Sequence, residues 1–89
     1  MNINIDQLKK KIIYRSNYRG NKEMDKLLGA FTDKYINNLS VENLYSLEKL
    51  LKFDDDVLYN FYNGLPTYLE IEENYVNLLF KNFKFNGRE

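Results

Sequence analysis

Between Tyr14 and Asp25 the chain reads Tyr-Arg-Ser-Asn-Tyr-Arg-Gly-Asn-Lys-Glu-Met-Asp, and these residue types can do recognition chemistry. The guanidinium of Arg15 or Arg19 is a planar fork of donors that matches carboxylates and carbonyl oxygens. Glu23 can orient such a fork or accept a donor, and Gly20 lets the backbone turn left-handed or lets another chain approach closely. Counting back from Gly20, Leu8, Ile12, Arg15 and Arg19 fall at helical spacing, so a stripe that begins apolar ends in guanidinium groups. Such groups are seldom buried without a carboxylate. Arg19 therefore either pairs with Glu23 across the turn or points outward to a partner's carboxylates or carbonyls. A local reading, one helix stopping at Gly20 and the next capped by Asn21 with Glu23 and Asp25 at its positive end, accounts for Gly20, Asn21 and Asp25. It accounts less well for Tyr14, Arg15, Tyr18 and Arg19.

The rest of the composition narrows the chemistry. With Cys 0 and His 0 among 89 residues there is no disulfide, no ordinary zinc ligand set, no imidazole base and no histidyl or cysteinyl acceptor for a cofactor bond. A formal net charge of +0 speaks against nucleic acid as the main partner. Lys9-Lys10-Lys11 reads as a solvated helix face. Asp54-Asp55-Asp56 lacks the glycine and terminal glutamate of a calcium loop, and no glycine-rich phosphate loop is present. No nucleophile or metal set stands beside Arg19 and Glu23, so the expectation is a protein that is not an enzyme and binds no cofactor stably. Neither an apolar signal core nor a membrane-length apolar run is found, and the chain reads as soluble and cytoplasmic.

The elements that must position these residues are helical. A first helix is expected from about Asp6 to Tyr18, capped by Asn4 or Asp6, with Ile5, Leu8, Ile12 and Ile13 inward. Met24, Leu27, Leu28, Phe31 and Tyr35 mark a second, expected to be central. Gly29 inside it suggests a close crossing, since glycine costs about 1 kcal/mol there relative to alanine. Ser40 should cap a third helix, with Leu39 and Leu44 as a staple and Leu44, Leu47, Leu50 and Leu51 inward. Asp54 should cap a fourth carrying Val57, Leu58, Phe61 and Tyr62, stapled by Phe53 to Leu58 and ended by Gly64. Thr67 to Glu70 has capping-box spacing, which predicts a fifth helix from there with Leu69, Val76, Leu79, Phe80 and Phe83 inward. The expected fold is all-α: a compact single-domain five-helix bundle over residues 1–85, followed by a flexible tail over 86–89. Eight Tyr and six Phe are many for so small a core, so some tyrosines should face a partner.

Taken together, Tyr14-Arg15-Ser16-x-x-Arg19-Gly20-x-x-Glu23-Met24-Asp25-x-Leu27-Leu28-Gly29-x-Phe31 closely resembles the signature of the succinate dehydrogenase flavinylation (assembly) factor family. The likeness runs on through Asp54 to Asp56, Leu58-Tyr59 and the Pro66 region, with Phe61 where many members carry Trp. The resemblance implies a five-helix assembly factor that binds the flavoprotein subunit of succinate dehydrogenase, in some bacteria that of fumarate reductase. It promotes covalent attachment of FAD to a histidine of that partner, and this chain has no histidine of its own. It also implies that Arg19, Gly20 and Glu23 contact the partner, with Arg15, Tyr14 and Asp25 at flanking positions. The free protein is expected to be a monomer with no nucleic-acid or membrane partner. The alternative is a helical adaptor or antitoxin-like interaction module with a different partner.

Overall fold

A computed structural model describes residues 4–85, among which five helices and no strands are found: α1 (Ile5–Asn17), α2 (Lys22–Tyr35), α3 (Val41–Leu50), α4 (Asp55–Tyr62) and α5 (Tyr75–Lys81). The fold is all-α and forms one core. The tail expected over residues 86–89 lies outside the described residues.

Side-chain caps set most helix starts. Asn4 accepts from the Gln7 amide, Asn21 from the Glu23 and Met24 amides, Ser40 from the Asn43 amide and Asn74 from the Asn77 amide. Each satisfies amides that the first turn leaves without helical partners. Asp54 stands at the expected cap position of α4 but makes no capping bond, and its Oδ2 faces the Tyr68 hydroxyl at 3.4 Å instead.

The core joins Leu8, Ile12, Met24, Leu27, Leu28, Phe31, Leu44, Leu47, Leu50, Leu51, Val57, Leu58, Phe61, Val76 and Phe80, with Ile36 and Ile71 closing it. The inward residues expected of α3 are all buried. In α1 the inward stripe is Leu8, Ile12 and Ser16, one residue per turn, and it leaves Ile13 42% exposed rather than buried. Ser16 can lie inside because its hydroxyl donates to the Ile12 carbonyl at 2.7 Å and accepts from the Thr32 hydroxyl at 2.6 Å. At the same crossing a β-carbon on Gly29 would come within 2.5 Å of Asn17 Oδ1, the close approach that a mid-helix glycine suggested.

Helix α2 is less central than its periodicity implied. It lies along α1, while α1 also meets α3, and α5 meets both α3 and α4. What α2 sends across is aromatic: Phe31 meets Phe80 and Phe83 edge-on, both with ring centroids 5.4 Å apart.

The largest departure concerns the fifth helix, which starts at Tyr75, not at Thr67. Thr67 donates its hydroxyl to the Leu69 carbonyl at 2.6 Å, and Asn74 supplies the cap that is used. Residues 65–74 cross the surface as an irregular strap. Ile71 is buried and anchors it, while Leu69, expected to face inward, is 45% exposed.

Candidate functional site

The turn between α1 and α2 is built by backbone demands. Gly20 has φ +83°, a region that disfavours residues with a β-carbon. A β-carbon there would meet nothing within 4 Å, so the position faces open space. Asp25 reaches back from the first turn of α2, and its Oδ1 accepts the Arg19 amide at 2.6 Å. Asp25 thus holds the turn closed.

Arg19 follows neither geometry that the sequence suggested. Its side chain is only 10% exposed and turns inward, and its Nε pairs with Asp55 Oδ1 at 2.5 Å, not with Glu23. Nη1 donates to the Leu51 carbonyl at 2.9 Å and to the Arg15 carbonyl at 3.2 Å, and Nη2 donates to the Phe53 carbonyl at 2.7 Å. One guanidinium therefore ties the last turn of α1, the end of α3 and the first turn of α4. It fills carbonyls that helix ends leave without amide donors, and its charge is matched by a carboxylate. Lysine, with a compact ammonium, cannot reach acceptors in so many directions.

The remaining expected site residues lie on the surface around this clamp. Glu23 and Arg15 are exposed, as is Gly20. Tyr14 and Tyr18 are exposed too, and their rings are in contact, tilted by 33° with centroids 4.8 Å apart. A shallow depression is lined by Tyr14, Arg15, Tyr18, Arg19, Leu51 and Lys52. Glu23 borders a different cleft, with Met24, Leu27, Tyr59, Tyr62 and Phe85. The motif thus offers two neighbouring surfaces, one cationic and aromatic, the other carrying Glu23. Below the first, Lys11 bonds Glu48 at 2.8 Å. That hydrogen bond, with further help from the charges of Lys11, Lys52 and Arg15, holds the Glu48 carboxyl below its usual range against some desolvation.

Two residues that sequence reasoning did not assign to the site stand in it: Asp55, which holds Arg19, and Tyr18, whose ring lies against that of Tyr14. A buried arginine demands a carboxylate, and that demand is the signal that pointed beyond Glu23. The acidic turn was the other place to look. Among the described residues no three acidic groups converge in a metal-holding cluster, so Asp54, Asp55 and Asp56 divide among separate tasks. Asp56 Oδ1, for example, accepts the Val57 amide at 3.0 Å. No described helix is long and apolar enough to cross a membrane.

A family model described as flavinator of succinate dehydrogenase matches residues 10–84, which takes in the α1–α2 turn, the acidic turn and the strap. No curated protein and no solved structure matches the chain.

Proposed function

This chain belongs to the flavinator of succinate dehydrogenase family, and on that premise we propose that it binds the flavoprotein subunit of succinate dehydrogenase and promotes covalent attachment of FAD to a histidine of that subunit. The observation that carries the reading is the family match over residues 10–84, together with a motif whose Gly20 and Glu23 stand exposed at one turn. The flavoprotein of fumarate reductase is a second partner of the same kind.

The proposed mechanism is positioning. FAD is held by the partner, and the reacting histidine and flavin both belong to it, so a helper need only keep the partner in the geometry where the two meet. Glu23 accepts a donor from across the interface, Tyr14 and Tyr18 supply flat contact area, and Arg15 reaches a partner carboxylate or carbonyl. Gly20 lets the partner's backbone come close. Arg19 and Asp25 act one step back: they hold the turn in shape, and Arg19 presents the face rather than touching the partner. The factor acts as a monomer and binds no cofactor of its own.

The test is in-gel flavin fluorescence of the denatured flavoprotein subunit from cells lacking this chain, then restored with wild type, Glu23→Ala or Gly20→Arg. Fluorescence lost on deletion and regained only with wild type is the expected result. Unchanged fluorescence after deletion would overturn the reading.

A further inference from the structure

Two lysines stand where helix electrostatics disfavours them. Lys22 is the first residue of α2, and Lys26 follows it one turn later. The N-terminal end of a helix carries positive partial charge, which repels a cation in the first turn, and like charges four residues apart repel each other. Both lysines are exposed, and the ion pairs found among the described residues include neither. They line one cleft, together with Glu23, Leu27, Tyr59 and Phe85. Charges kept against local stability point to a task at the surface.

The other carboxylates of the motif region are already engaged. Asp25 accepts the Arg19 amide, Asp55 pairs with the Arg19 guanidinium, and Glu48 is bonded to Lys11. Among the described residues Glu23 supplies the only carboxylate lining the cleft, against two lysines, and Arg15 adds a cation in the neighbouring depression. The cleft also has apolar area to offer: Tyr59 is 49% exposed at its edge, over the buried Met24 and Leu27. A cationic rim around an apolar cleft is complementary to an acidic segment that carries an apolar side chain.

We propose that this cleft receives an acidic segment of the flavoprotein subunit, with its carboxylates on Lys22 and Lys26, a backbone amide donated to Glu23 and an apolar side chain against Tyr59 and Phe85. The inference rests on the flavinylation reading for the identity of the partner. It gives Lys22, Lys26 and Tyr59 a role that the motif contacts described above do not.

The test measures binding of the full chain to the purified flavoprotein subunit at low and high salt, alongside urea unfolding of each variant. The double variant Lys22→Glu, Lys26→Glu should bind about tenfold more weakly or worse and lose most of the salt dependence that wild type shows. Its urea midpoint should hold or rise, because acidic residues suit a helix N-terminus. Lys34→Glu, at the far end of α2, should change affinity less than twofold. A zero-length carbodiimide cross-link should join Lys26 to an aspartate or glutamate of the flavoprotein. Wild-type binding that the double variant retains would overturn this inference and leave the flavinylation reading standing. So would a fallen urea midpoint in that variant, which would make the lysines structural, or a Lys26 cross-link only to a second copy of this chain. No complex with wild type at either salt would remove the flavinylation reading and this inference with it.

Discussion

Arg19 and Glu23 sit four residues apart in the same short motif, on either side of the Gly20 turn, and meet opposite surroundings. Arg19 turns into the protein and binds one carboxylate and three carbonyls. Glu23 turns out to solvent: its backbone amide donates to the Asn21 cap, and its carboxylate makes no hydrogen bond or ion pair among the described residues. A motif that reads as one recognition element is thus two devices back to back. The buried arm joins three helix ends, and the exposed arm is presented by that junction. Loss of function on changing either residue would look alike in a cell, while its physical cause would differ.

That contrast is best broken from its buried side. Arg19→Ala removes the charge partner of Asp55 and uncovers the Leu51 and Phe53 carbonyls. It should cost about 3 kcal/mol in urea unfolding, as expected when a mostly buried ion pair loses one member. Arg19→Lys should recover only part of this loss, since the ammonium cannot fill the fork's contacts. Gly20 stands between the two arms. Gly20→Ala and Gly20→Arg should each cost about 1 kcal/mol, because φ of +83° strains any residue with a β-carbon. Only the arginine variant should lose flavinylation out of proportion, since open space at that position admits a small side chain.

The Lys11–Glu48 pair should matter less. Its lysine is 48% exposed, and such pairs are worth under about 1 kcal/mol. The Glu48 carboxyl is held below its usual value in the folded protein, by the Lys11 hydrogen bond first. Its contribution is therefore present above the ordinary glutamate range and is lost as pH falls through the depressed folded value. Lys11→Ala should flatten the acid limb of a stability-versus-pH curve and leave the limb above neutrality unmoved. Smallest of all in stability is Glu23→Ala, which should shift unfolding by less than about 0.5 kcal/mol, yet remove flavinylation in the gel assay.

How far these arms could be read beforehand depended on distance along the chain. The inward faces of α2 and α3 were legible because apolar side chains recur there at helical steps, and Gly20 and Asn21 because caps are local. Ser16 sits one turn after Ile12 on the same stripe, but its hydroxyl is tolerable inside only because Thr32 answers it from α2. The Thr67 to Glu70 spacing promised a helix start, but the cap that closes on an amide is Asn74, and the intervening chain, with Tyr68 and Leu69 exposed, crosses the surface as an irregular strap. The partner of Arg19 was the hardest to see. Asp55 lies across the fold on another helix, and among three consecutive aspartates nothing local distinguishes the one that turns inward.

The most direct test of the divided motif is a double-mutant cycle across Arg19 and Asp55, read by urea unfolding of wild type, Arg19→Ala, Asp55→Ala and the double variant. A coupling of about 1.5 kcal/mol or more is predicted for a charged hydrogen-bonded pair largely shielded from water. Additive losses, with no coupling between the two residues, would contradict an inward Arg19 and return it to the surface that Glu23 occupies.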